Sequence, residues 1–128
     1  MHDTSPDSRR PALRTIAMPA DMNLSGDIFG GWIMAQMDMA AGATAGMIAQ
    51  GRTATVAVDA MAFLQPVKVG DEVTVFTELL RVGTSSMRIG VEVWRRKRME
   101  AEAEKVTEGV FTFVALDAEG RPRPVPKG

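Results

Sequence analysis

The sequence predicts a single α+β domain: one strand, one long helix, then four strands in an antiparallel sheet. Three observations carry this reading. The first is an apolar run over residues 28–51, IFGGWIMAQMDMAAGATAGMIAQG, in which Asp38 is the only ionisable residue. It is long enough for one helix and apolar on almost every face. The second is the chain beyond Arg52, where β-branched and alternating stretches are separated by turn residues. The third is size and composition. A chain of 128 residues with 45% hydrophobic and 24% charged content makes one ordinary globular unit, able to bury about two-thirds of its unfolded surface.

The elements follow in order. Residues 1–11 are polar and are expected to form a flexible arm, and the domain spans residues 12–119. ALRTIAM over residues 12–18 suits a short strand. The loop MPADMNLSGD then holds Pro19, Asp21, Asn23, Ser25 and Gly26, all turn formers. A helix is expected from about Phe29 to about Gln50, with Asp27 as N-cap and Gly51 as the C-terminal stop. TATVAVDAMAFLQ over residues 53–65 is a β-rich strand closed by Pro66. Gly70-Asp71 makes a turn into a strand over 72–82. In SSMRIGVEVWRRK, Met87, Ile89, Val91 and Val93 share one face, while Arg88, Gly90, Glu92 and Trp94 share the other. The last strand covers about 104–116, with a turn at Asp117–Gly120. Residues 120–128 carry three prolines, Pro122, Pro124 and Pro126, and should be extended or disordered. Strands joined by short turns make an antiparallel sheet.

Composition excludes several chemistries. The net charge is −1 and the pI about 5.8, so no basic field argues for nucleic acid. There is no cysteine or tyrosine, and the one histidine is His2 in the terminal arm. Disulfides, thiolate zinc, a cysteine nucleophile and a histidine triad are therefore set aside, and no metal or cofactor is expected. The N-terminal residues lack the apolar core of a signal peptide, which fits a cytoplasmic protein. The run 28–51 could suggest a membrane span. Gln36, Asp38, Thr44, Gln50 and the glycines within it favour a buried helix instead.

Asp38 is the strongest functional clue. A carboxylate on a buried helix is costly unless paired, hydrogen-bonded or protonated. On its own it reads equally well as a satisfied structural group. One sheet covers only one side of a helix that is apolar nearly all round, so a second subunit is the simplest cover.

The chain resembles the hotdog-fold acyl-CoA thioesterases, in particular the small bacterial YciA-like branch. The matching stretches are LRTIAMPADMNLSGDIFGGWIMAQMDMAAG (13–42), TVAVDAMAFLQPVKVGD (55–71), VGTSSMRIGVEVW (82–94) and VTEGVFTFVALD (106–117). Phe29 stands before Gly30-Gly31, where broader relatives carry histidine. The resemblance implies a long central helix wrapped by a curved antiparallel sheet of about five strands. It further implies dimers with a continuous sheet, assembled as a trimer of dimers or similar, that hydrolyse acyl-CoA to free acid and CoA. By the same resemblance Asp38 is the catalytic carboxylate, Asn23 orients water or the thioester, and Gly31 is a likelier oxyanion donor than Gly30. The segment Gly83, Thr84, Ser85, Ser86 to Arg88 would contact CoA.

The residues make chemical sense of this. A thiolate leaving group has a pKa of about 8.5, so strong protonation is not needed. Gly30 and Gly31 let a substrate approach a helix N-terminus, whose free N–H groups favour developing negative charge. Asp38 can act as general base or nucleophile, with Asp27 as the rival acid. Gly31 and Asp38 are seven residues apart, roughly 10 Å along one helix. If both serve one carbonyl, they come from different chains. Arg52, Arg81, Arg88 and the run Arg95–Arg98 are candidates for the CoA phosphates, and that run reads equally as a solvated strand end. Trp32, Phe63, Met34 and Met37 could line an acyl slot. Two rival functions share this fold: a non-catalytic acyl-CoA-binding or sensing protein, and a dehydratase, which would pair histidine with aspartate.

Overall fold

The computed structural model describes residues 9–127. The expected flexible arm falls mostly outside the described residues. The elements are β1 (Leu13–Ile16), a 3-10 turn (Pro19–Asp21), α1 (Gly30–Ala49), β2 (Thr53–Phe63), β3 (Glu72–Val82), β4 (Ser86–Arg96) and β5 (Ala103–Ala115). The sheet order is β1-β3-β4-β5-β2, with every neighbour antiparallel. The sheet wraps α1, which packs against β2, β3, β4 and β5. No helix among the described residues is long and apolar enough to cross a membrane.

Alternation builds the core. Met87, Ile89, Val91 and Val93 of β4 are buried, as their spacing predicts, together with Phe111, Phe113 and Ala115 of β5. Against them α1 buries Ile33, Met37, Ala40, Ala41, Ala45 and Ala49. The alanines let the helix lie close to the sheet. Gly42 extends this closeness, since a Cβ there would sit 3.6 Å from the Phe113 ring. Met34, Met39 and Met47, on the rest of the helix, stay exposed. One protomer thus encloses its helix on one side only.

The helix ends differ from expectation. Asp27 is not the N-cap. Phe29 holds that position and no side chain caps the helix. The Asp27 carboxylate is drawn instead to the Lys68 ammonium, across a backbone bridge between the two residues. At the other end, Gln50 and not Gly51 takes the left-handed conformation (φ 55°). Gly51 is needed for space: a Cβ there would lie 2.8 Å from Arg123 Nη2. That guanidinium donates to the Ala49 carbonyl at 2.7 Å and, through Nε, to the Leu116 carbonyl at 2.9 Å.

Arg123 belongs to the C-terminal segment. After the turn at Gly120, residues 121–127 are docked through Arg123 and Val125 while the three prolines stay exposed. Arg123 N donates to Ala115 O and Val125 N to Thr84 O, and the Val125 side chain joins the core. Arg95 also departs from the solvated strand end considered above. It is 7% exposed, donates to the Pro66 carbonyl and pairs with Glu104 at 3.0 Å. Arg96 bonds Glu72 and the Glu100 carbonyl. On the outer sheet face, the Arg9 guanidinium lies 4.1 Å over the Phe76 ring and bonds Glu92. Partial burial pushes the Glu92 carboxyl up, but the Trp94 indole N–H and Arg9 outweigh it and hold it below the usual range.

β2 is an edge strand, and residues 55–60 are exposed on both faces. Its register against β5 slips between Asp59 and Ala62, and Ala60 inside that bulge has φ 51°. A left-handed conformation costs an L-residue about 1 kcal/mol or more, and glycine nothing. Ala60→Gly is therefore expected to stabilise the protein by up to about 1 kcal/mol, against the usual penalty of glycine in a strand. Denaturant midpoints of the two proteins check this, and a lower midpoint for the glycine variant counts against strain at Ala60.

Candidate functional site

The uncapped start of α1 is the first component. Trp32 N and Ile33 N both donate to the Phe29 carbonyl, at 3.1 and 3.2 Å. That leaves the N–H groups of Gly30 and Gly31 without an intrahelical acceptor. A Cβ on Gly31 would meet nothing within 4 Å, so its flank is open, while one on Gly30 would face the Phe63 ring at 3.6 Å. Beside them runs a groove of about 330 Å³, lined by Asn23, Gly30, Ile33, Phe63, Leu64 and neighbouring residues. Both of its walls are pinned. Ile28 N donates to Val67 O at 3.0 Å, Leu64 N donates to Val106 O at 2.7 Å, and Arg95 holds the Pro66 carbonyl.

Asn23 enters the groove in a fixed orientation. Its Oδ1 accepts from Ser25 N at 2.9 Å and Asp27 N at 3.0 Å. Gly26, at φ 86°, closes the turn with N–H to Asn23 O at 3.1 Å. Two backbone donors demand the oxygen on that side, so the amide NH₂ is the end left over. Among the described residues nothing accepts from it. Asn23 can therefore donate to a substrate oxygen or a water, and it cannot take up a proton.

Asp38 lies two turns along α1, facing β2. It is half-buried within one protomer, as a helix covered on one side only allows. Thr55 Oγ1 donates to its Oδ1 at 2.6 Å. The other oxygen has no partner among the described residues. Thr55 escaped the sequence reading, because a threonine in a β-rich strand looks like propensity. Its register opposite Phe113 turns it inward, toward the helix.

The structure thus brings Asn23, Gly30 and Phe63 into one groove, with Gly31 next along the helix and Asp38 about 10 Å beyond it. Trp32 is half-buried against the core and does not line the groove. Gly83, Thr84, Ser85 and Ser86 form the β3–β4 hairpin, closed by Gly83 N to Ser86 O at 2.8 Å. This hairpin adjoins Ala115, which pairs with Thr53 just beyond the helix C-terminus. Within one chain it lies at the opposite end from Gly30. Arg88 turns to the outer sheet face, where Asp59 meets it at 3.4 Å. Arg52 and Arg81 are exposed and have no partner among the described residues.

Residues 25–102 match the model of the Thioesterase superfamily. The acyl-CoA thioester hydrolase YciA of Escherichia coli (strain K12) is 49% identical over 117 residues, covering 89% of each chain. A crystal structure of the hexameric thioesterase y2039 from Yersinia pestis is 50% identical, with a TM-score of 0.87, covering 92% of this chain and 96% of that one. An acyl-CoA hydrolase from Staphylococcus aureus, solved with butyryl coenzyme A and coenzyme A, is 33% identical with a TM-score of 0.83, covering 89% of this chain and 70% of that one.

The Asn23 turn yields a separable test. Asn23→Asp keeps the accepting oxygen for both backbone N–H groups while replacing the free donor with a charged acceptor, so its thermal midpoint should fall less than that of the alanine variant. Asn23→Ala strips the acceptor from two backbone N–H groups and should cost about 1 kcal/mol or more. Equal midpoints for the two variants would refute the turn as the fixing device.

Proposed function

The chain belongs to the thioesterase superfamily and is an acyl-CoA thioester hydrolase, and we propose that it works through composite sites in which Asn23 and Gly31 of one copy face Asp38 of another. The observation that carries this is the separation along α1. The free N–H groups and the carboxylate share one helix, yet they are too far apart for one carbonyl to reach both.

The thioester carbonyl oxygen accepts from the Gly31 N–H, with Gly30 beside it and the Asn23 amide as a second donor. These dipoles are fixed before reaction and stabilise the tetrahedral oxyanion, a contribution worth on the order of a hundredfold per donor. The free oxygen of Asp38 takes a proton from water as the water oxygen bonds to the carbonyl carbon. The C–S bond then breaks and CoA leaves as thiolate, which is protonated in solvent. If Asp38 attacks directly instead, the C–S bond breaks and CoA leaves as thiolate when the acyl-aspartate anhydride forms, and water then cleaves the anhydride to free acid and aspartate. In single-turnover hydrolysis in heavy-oxygen water, label found in the Asp38 side chain marks the acyl-aspartate route. In either route Thr55 steadies the carboxylate from its far side, and no cofactor is drawn on beyond the CoA of the substrate.

Self-association follows from the same geometry. β2 presents an unpaired edge with Val56 and Val58 exposed, a liability unless covered. A second copy pairing edge to edge would continue the sheet and cover the open side of α1. Pairing by a twofold axis yields two sites per dimer. Three such dimers fit the hexameric state of the Yersinia pestis relative. For CoA, the hairpin Gly83–Ser86 with Arg52 and Arg81 offers hydroxyls and free cations. Arg88 is a weaker candidate because Asp59 already holds it.

Complementation tests the composite site. Asp38→Asn keeps the Thr55 contact and should cut kcat by on the order of a hundredfold or more, as should Asn23→Ala. Mixed after unfolding and refolded together, the two inactive proteins should recover about a quarter of normal activity, since half the dimers are mixed and each has one intact site. No recovery would place both residues in one chain's site. Tight acyl-CoA binding without turnover by the unmodified chain would make it a sensor instead.

A further inference from the structure

Gly109 lies in the middle of β5, on the face turned to α1. It is opposite Val91 on β4. Its φ is not in the left-handed region, so nothing in the backbone calls for glycine. Space does. A Cβ there would lie 3.1 Å from both Sδ and Cε of Met61 and 3.6 Å from Cε of Met37. The ends of the two methionines therefore meet over a position with no side chain of its own.

Their place in the fold gives the contact meaning. Met61 follows Ala60 in the bulge of β2, and a bulge re-aims the side chain it carries. Met37 is one helical turn beyond Ile33. Ile33 and Phe63 line the groove beside Gly30, and Met37 and Met61 are the next side chains inward along the same seam between α1 and β2. A thioester held at Gly31 directs its acyl chain into this groove, since the groove wall is apolar there and the CoA side is not.

We propose that Met61, seated over Gly109 against Met37, closes the inner end of the acyl slot and sets the chain length accepted. Methionine is unbranched and has three soft torsions, so Met61 can swing aside for successive methylenes of a straight chain. The missing Cβ at Gly109 is what lets the end of Met61 rest there. The slot is thus suited to unbranched acyl groups over a range of lengths. This rests on the thioesterase reading and adds the determinant of length.

The test is a panel of straight-chain acyl-CoAs, from acetyl to palmitoyl, with kcat and KM measured for each. Gly109→Ala puts a methyl where Met61 now rests and pushes Met61 toward the groove. The ratio of long-chain to short-chain kcat/KM should fall about tenfold, the scale of one methylene misfit in an apolar pocket. Met61→Ala empties the end of the slot and should move the ratio the other way. Met61→Leu keeps the packing volume with a stiffer, branched end, and should narrow the range of lengths if the alanine variant does not fold. A chain-length profile unchanged in these variants, or lowered equally at every length, overturns the proposal. An unmodified chain that hydrolyses none of the panel would instead defeat the thioesterase reading itself.

Discussion

A helix that is apolar on nearly every face cannot be enclosed by one five-stranded sheet. Here α1 buries Ile33, Met37 and its alanines on the sheet and leaves Met34, Met39 and Met47 outside. The edge strand beside it, β2, is exposed on both faces over residues 55–60. The two unfinished surfaces adjoin, and Asp38 with Thr55 lies between them. Burial, strand pairing and the placement of the carboxylate are therefore one problem, and a second copy of the chain answers all three. On the composite-site proposal, an isolated protomer would carry half of each reaction site.

The same incompleteness governs the helix start. An N-cap side chain would satisfy the first N–H groups and close them to a substrate. Phe29 at that position offers no acceptor, and the nearest acid, Asp27, is held by Lys68. Asn23, which could have capped, spends its oxygen on Ser25 and Asp27 instead. Each nearby acceptor is engaged elsewhere, and the helix N-terminus is left polar, open and rigid.

Much of this was legible in the sequence. The apolar run set the helix to within a residue at each end, because a helix of that composition has no rival register. The alternation in β4 named its buried face for the same reason. What escaped were features decided by distant partners. Asp27 stands before the helix, where a cap is expected, yet its partner Lys68 lies 41 positions away. Gly51 follows the run as its expected stop, yet Arg123 needs its space and Gln50 makes the turn. Arg95 sat in a basic run that reads as a solvated strand end, and only the fold shows the Pro66 carbonyl beneath it. Thr55 was one β-branched residue among several until register turned it inward. Local pattern specifies faces and ends, and partnership across the fold specifies roles.

The two ends of α1 are not treated alike. The helix carries no basic residue in its last turn, so its terminal carbonyls would be left bare. Arg123 supplies the missing cation from 74 residues further along, docking on the Ala49 carbonyl. The C-terminal segment thereby grounds the negative pole of the helix, while the positive pole at Gly30 and Gly31 stays uncompensated. A dipole neutralised at one end only projects its field outward from the other. The last stretch of chain thus leaves the unbalanced pole of the helix at its open N-terminus.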